Sequence, residues 1–257
     1  MERTFALLVL ISGVLLVGCD SIIAPIEISE RVANAAPPHL EGNCLFRPTF
    51  NCNSGQIQAG TAFVVEIGDR RSPVLVSALH LLGPDGGLPK KIKPANIDRE
   101  LQSIELFGLF DDELVAAVSP RTLEMRESAP LGEASKYGDV MAFELDRDVQ
   151  VGKLKLANSM PEVNEPVWMA GQILDGAPMT KKLHVGQFLG IDYEGDFVVQ
   201  FANRQLELQA TSGAPILNAA GEVVAINLGG WSEDGYKFGV GNPVSRFRGG
   251  LLNALGK

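Results

Sequence analysis

Ala210-Thr211-Ser212-Gly213-Ala214-Pro215, running on into Ile216-Leu217-Asn218-Ala219-Ala220-Gly221-Glu222-Val223-Val224-Ala225-Ile226-Asn227, is the stretch of this 257-residue chain that decides its fold. Residues 210–214 are small and carry little apolar area, so they suit a tight turn better than a core. Ser212 stands at the centre of that turn. Two apolar runs rich in β-branched residues follow, 214–217 and 222–228, with Asn218 and Gly221 as turn residues between them. That pattern reads as a hairpin. A serine is therefore held on a turn where the chain enters a pair of strands.

A serine hydroxyl is a weak nucleophile at neutral pH. It needs a base within hydrogen-bond reach, and the base needs a carboxylate to fix its tautomer. The chain has three histidines. His39 lies in a proline-rich stretch, after Pro37 and Pro38. His184 sits in an alternating run, 182–186, and reads as a surface or packing residue. His80 follows the apolar strand 73–79, where the chain leaves a sheet. For the carboxylate, Asp139 follows Gly138 and opens an alternating apolar run, 140–145. Asp111 and Asp112 fall in a polar turn, and Asp146 and Asp148 flank Arg147 in a charged stretch. Each of these residues also has a plain structural reading, His80 as a satisfied structural histidine and Asp139 as a strand-initial turn residue. Taken together they place histidine first, aspartate second and serine third.

With that order and these local sequences, the chain resembles the chymotrypsin/trypsin-like serine proteases over roughly residues 55–255. Ser77-Ala78-Leu79-His80 is similar to the family's Thr-Ala-Ala-His. Gly138-Asp139-Val140-Met141-Ala142-Phe143 fits its aspartate segment. Residues 210–215 resemble its Gly-Asp-Ser-Gly-Gly-Pro. The resemblance implies an all-β fold of two six-stranded antiparallel barrels side by side, about 55–148 and 160–243, with a short C-terminal helix at 244–255. It implies His80, Asp139 and Ser212 as catalytic residues, with the backbone N–H groups of Ala210 and Ser212 as the oxyanion hole. The implied reaction is peptide-bond hydrolysis through an acyl-enzyme. The implied partners are proteins or peptides, with neither metal nor organic cofactor. Leu206, Asn227, Leu228 and Gly229 would form the substrate pocket, with Gly239 and Gly241 open at its far wall. Small or apolar side chains are the expected substrates. Two residues depart from the pattern. Ala210 replaces a glycine, which keeps the N–H but restricts the backbone. Thr211 replaces the aspartate that animal trypsins use to bind a newly cut N-terminus. Ala210, Leu79 and Ala214 also leave open a second reading on the same fold, a module that binds peptides without cutting them.

Outside the three segments, short β-rich runs dominate: 56–67 and 73–79 as one hairpin, 101–109 with 113–119, 139–145, 166–171, 182–191, 197–202 and 236–241. Many short strands with turn signals between them favour barrels or sandwiches. Residues 83–97 read as a surface loop, and 244–255 as a helix interrupted at Gly249-Gly250. At the N-terminus, an apolar run over 5–17 ends in Leu16-Val17-Gly18-Cys19. This resembles a bacterial lipoprotein signal, 1–18, with lipid on Cys19. Residues 19–43 would then be a flexible tether, and Asp20 points to the periplasmic face of the inner membrane in the bacterial envelope. Cys44 and Cys52, flanking a short loop in an exported chain, predict a disulfide. The net charge of −9 argues against nucleic acid, whose phosphates need a basic surface.

Overall fold

The computed structural model of the chain describes residues 25–40, 42–67, 72–119 and 121–256. The expected signal segment and Cys19 lie outside them. The first half builds β1 (Leu45–Cys52), β2 (Gly55–Gln58), β3 (Ala62–Ile67), β4 (Ser72–Ser77), β5 (Leu101–Gly108), β6 (Leu114–Val118), β7 (Arg121–Thr122), β8 (Met141–Glu144) and β9 (Leu154–Lys155). These form one sheet in the order β6-β5-β1-β3-β4-β8-β7, with β2 beside β1 and β9 parallel to β3. The second half builds β10 (Pro166–Ala170), β11 (Leu183–Ile191), β12 (Phe197–Phe201), β13 (Pro215–Leu217), β14 (Val223–Glu233) and β15 (Tyr236–Pro243), which close into a six-stranded barrel. Two short helices, α1 (Glu30–Ala33) and α2 (Ile97–Glu100), and the C-terminal α3 (Val244–Ala254) complete the chain. The all-β architecture matches the sequence expectation. The second half has the six strands expected of it; the first half is a larger, nine-stranded sheet among the described residues.

Alternation along the strands fills the second barrel. Phe197, Val199 and Phe201 of β12 point inward to meet Phe188, Val167 and Ile216. The outward residues are also covered. Gln200 is fully buried because the N-terminal segment lies across it: its amide donates to the Ile26 carbonyl at 2.7 Å and accepts the Ile26 N–H at 3.0 Å. Val32 of α1 is buried on the same side of the chain's path, and α1 packs against β11. Within residues 25–40, expected as part of a tether, Ile26 and Val32 thus lie against the second barrel. The reason is local: an outward glutamine with a donor and an acceptor can hold one extended peptide unit by both its N–H and its C=O.

The expected disulfide is also corrected. Cys44 and Cys52 are both free and buried. What read as a short loop between them is β1. Eight residues of extended strand at ~3.3 Å each set the two Cα atoms about 26 Å apart along the chain, far beyond the ~4.4–6.8 Å between Cα atoms that a disulfide spans. Burial pushes the Cys44 thiol up to about 11 and raises Cys52 as well. Pro48 hides this strand from sequence reading, since proline is rare in central strands. It is tolerated because β1 changes partner around it, pairing with β3 at Leu45 and Phe46 and with β2 from Thr49 onward.

The two halves meet over a continuous core that includes Phe143 and Leu79 from the first and Ile226, Val244 and Phe247 from the second. Helix α3 runs through Gly249-Gly250 without a break. A Cβ at Gly250 would lie 2.8 Å from the Met125 methyl and 3.0 Å from the Tyr137 ring. The glycine thus lets the helix seat against the first half.

Candidate active site

Strand β4 ends at Ser77, and the chain tightens into a 3-10 turn, Leu79–Leu82, that carries His80 out of the sheet. Leu79 and Leu81 anchor this turn in the core. On the neighbouring strand, Asp139 comes just before β8, after Gly138 in a left-handed conformation (φ 68°). A Cβ on Gly138 would strike the Asn242 side chain at 2.4 Å, so the turn that presents Asp139 requires glycine. The pairing of β4 with β8 brings the two segments together. The Asp139 carboxylate is buried and accepts three N–H groups. One oxygen takes the His80 backbone N–H at 3.0 Å; the other takes the His80 Nδ1–H at 2.6 Å and the Leu131 N–H at 2.9 Å. With Nδ1 as donor, the neutral ring presents Nε2 as an acceptor toward the cleft.

Ser212 reaches the same cleft from the second half. Its turn is braced on both sides. Gly213 N–H donates to Asn227 O at 2.7 Å, Asn227 N–H donates to Ala214 O at 2.7 Å, and Thr61 N–H from the first half donates to Ser212 O at 2.8 Å. Thr61 follows Gly60, where the single strand expected over 56–67 breaks into β2 and β3. That break is what lets the first half touch the serine turn. The contact leaves no room at Gly213, where a Cβ would lie 2.0 Å from Thr61 O and 2.6 Å from Ser77 Oγ.

His80 and Ser212 line one open cleft of about 670 Å³, together with Gly60, Leu131, Ala210, Leu228, Gly229 and Gly230. The Ser212 hydroxyl donates to the Leu228 carbonyl at 3.0 Å rather than to the imidazole. Serine–histidine hydrogen bonds are often long or absent before substrate binds.

Ala210 has φ 65°. The Thr211 N–H closes a turn on Leu208 O at 3.2 Å, and the Thr211 hydroxyl donates to the same carbonyl at 2.6 Å. Positive φ at the third residue of a four-residue turn is the type II pattern, normally met by glycine. An alanine there costs about 1–2 kcal/mol. Thr211 holds it in place, being fully buried and taking a hydrogen bond from Asn227 Nδ2 at 2.9 Å. The N–H groups of Ala210 and Ser212 donate to no group among the described residues, and both residues line the cleft.

Two expected pocket residues are placed elsewhere. Leu206 is buried in the core of the second barrel and Asn227 beneath the serine turn, so neither lines the cleft. Leu228 and Gly229 do line it. The far wall is not open either: a Cβ at Gly239 would meet Phe201 at 2.9 Å and Val199 at 3.0 Å, and one at Gly241 would meet Ile226 O at 2.7 Å. Sequence reading missed Leu131, whose N–H completes the shell around Asp139, and Lys237, which lines the cleft from β15. The signal for Lys237 was its place two residues before Gly239, on the same face of an alternating strand. His184 is buried, with Nε2 at 3.1 Å from Gly171 O; burial lowers its pKa, which suits a neutral packing residue.

Beyond Leu131 and Leu228 the cleft adjoins a second hollow of about 330 Å³ lined by Glu194, Asp196 and Arg246. Asp196 is buried and bonded to Arg246 at 2.8 Å, while Arg246 also donates to Ser135 O at 3.0 Å. Burial, reinforced by the nearby Asp192, raises the Asp196 carboxyl to about 6 despite the opposing pull of Arg246.

No protein-family model and no curated protein matches this sequence. In three dimensions the chain is similar to the active form of the Rv3671c protease from M. tuberculosis (TM-score 0.52, 12% identity, 92% of this chain and 95% of that one). It is also similar to the thermostable serine protease AL20 from an extremophilic microorganism (TM-score 0.54, 12% identity, 83% of this chain and 97% of that one). A third likeness is to a variant of the HtrA-type protease AlgW solved with a decapeptide (TM-score 0.53, 12% identity, 85% of this chain and 65% of that one). At these identities the likeness establishes the fold of trypsin-like serine proteases.

Proposed function

We propose that this chain is a serine endopeptidase of the bacterial cell envelope, held to the membrane by lipid on Cys19. The observation that carries the catalytic part is the Asp139 carboxylate, which grips both the backbone and the Nδ1–H of His80 and leaves Nε2 turned to the cleft that holds Ser212. In the reaction, Ser212 Oγ leaves the Leu228 carbonyl and attacks the substrate carbonyl carbon while His80 Nε2 takes its proton. Asp139 stabilises the imidazolium. The negative oxygen of the tetrahedral intermediate is received by the N–H groups of Ala210 and Ser212, where one donor is worth about 3 kcal/mol. His80 then protonates the leaving amine, and water repeats the sequence on the acyl-enzyme. The membrane attachment rests on the Leu-Val-Gly-Cys ending of the leader and on the physics of acyl chains in bilayers.

One observation favours a second reading, a peptide-binding module without turnover: the Ser212 hydroxyl is engaged by Leu228 O and the neighbouring Ala210 is strained. A fluorophosphonate probe separates the two. The catalytic reading expects covalent labelling of wild type that vanishes in Ser212→Ala and falls sharply in His80→Ala. Folded wild type that binds peptides but takes no label selects the binding module.

A further inference from the structure

Lys237 brings a charge to the cleft that the mechanism does not use. It lies on β15, opposite Ser232 of β14 and Phe201 of β12. It is half-buried and lines the same cleft as Ser212, Gly229 and Gly230. Its ammonium forms no ion pair or hydrogen bond among the described residues, although Arg204 nearby pairs with Glu27 and Arg246 with Asp196. A cation that lines the cleft without a partner among the described residues is open to a counter-charge brought by a bound substrate.

Gly230 and Gly239 face each other across β14 and β15 beside Lys237. A Cβ at Gly230 would meet Phe238 O at 2.2 Å and Leu208 at 2.3 Å, and one at Gly239 would meet Phe201 at 2.9 Å and Val199 at 3.0 Å, so the two strands pack closely here. Two acids also line the cleft. Asp85 comes from the first half, from the 3-10 turn Pro84–Gly86. Glu207 is exposed, so its charge is screened by water, and one of its oxygens accepts the Gln209 N–H at 3.3 Å.

From this we infer that Lys237 selects peptides that present a carboxylate beside the scissile bond, at the position that lies against β15. The inference rests on the protease reading above and names its substrate class. The carboxylate has two sources, an Asp or Glu side chain within the peptide or the free C-terminus of the peptide itself.

The test uses the full-length protein and paired peptides that differ by Asp against Asn, or Glu against Gln, at each position around one cleaved bond. Each pair is made with an amidated and with a free C-terminus. The expected result is a preference of about tenfold in kcat/KM for the acidic member at one position. Preference for the acidic member among amidated peptides assigns a side chain; preference for the free over the amidated C-terminus, in both members of a pair, assigns the terminal carboxylate. Lys237→Gln brings the ratio near one, and Lys237→Glu turns it toward Lys at the same position. Glu207→Gln keeps or raises the preference by removing a competing anion. Equal cleavage by wild type of acidic and amide peptides, and of free and amidated C-termini, overturns the inference. So does a preference that survives in Lys237→Gln, or one that Glu207→Gln abolishes equally. Wild type is labelled in parallel with the fluorophosphonate: no label and no cleavage defeats the protease reading itself, whereas labelled enzyme without acidic preference defeats only the role of Lys237.

Discussion

On one side of the cleft the histidine is committed: His80 is held by two hydrogen bonds to a buried carboxylate that a third N–H, from Leu131, keeps in place. On the other side the serine is not. The Ser212 hydroxyl donates a hydrogen bond to Leu228 O, and the residue two before it is an alanine in a conformation that favours glycine. The histidine side is built by pairing β4 with β8, a regular ladder that brings two short segments together at a fixed register. The serine side is a turn, braced by Thr211, Asn227 and a backbone hydrogen bond from Thr61 in the other half of the molecule. Rigidity is thus concentrated around His80 and Asp139, while the Ser212 hydroxyl is turned to a backbone carbonyl.

Four substitutions, one of them with a control at Gly132, test this contrast. Asp139→Asn has the largest expected effect. It leaves the packing nearly unchanged but removes the acceptor that selects the Nδ1–H tautomer, and kcat should fall on the order of 10⁴-fold with little change in melting temperature. An equal loss of stability and turnover would make the carboxylate a structural group.

Gly213→Ala attacks the brace between halves. The new methyl would sit 2.0 Å from Thr61 O at φ 87°, so a loss of roughly 4 kcal/mol is expected in urea unfolding. Gly132→Ala is the comparison, with φ 82° but open space around its Cβ position; it should lose only about 1 kcal/mol. Similar losses in the two would remove the brace from the account.

Ala210→Gly should relieve the strained turn, with a gain of about 1 kcal/mol and no fall in kcat. A fall in turnover would mean that the alanine, by narrowing the choices of the 209–210 peptide, holds the two free N–H groups in place.

Asp196→Asn has the smallest effect and shows itself through pH. The folded carboxyl titrates near 6, above its ordinary value of 3.8, so the folded protein holds this proton more tightly than the unfolded chain does. The stabilising contribution is complete below about pH 3.8 and is lost as pH rises through 6. Wild type should therefore lose stability relative to Asp196→Asn between pH 4 and 7, as read from urea midpoints across that range.

Much of this molecule is legible in its sequence. Residues 197–202, an almost wholly apolar and β-branched run, become β12; 222–228 become the body of β14; the helix over 244–255 follows its apolar spacing. The failures are just as instructive. β1 was hidden because Pro48 breaks the local pattern, and its tolerance depends on which strands lie to either side. The disulfide was inferred from closeness in sequence, yet an extended chain turns eight residues into the widest separation available to them. Leu206 and Asn227 were aligned with a pocket wall that, here, is filled from behind by Leu208 and Phe201.

By itself the sequence determined which residues could act: a serine on a turn of small residues, a histidine at the end of an apolar strand, an aspartate after a glycine. Those are local properties, set by side-chain chemistry and backbone preference. Only the tertiary structure decided that His80 and Asp139 are bonded, that Ser212 shares a cleft with His80 but faces Leu228, and that Lys237, unpaired among the described residues, lines the same cleft. Distances between residues far apart in the chain come from strand register and from the packing of two halves over one core, and no stretch of sequence contains them.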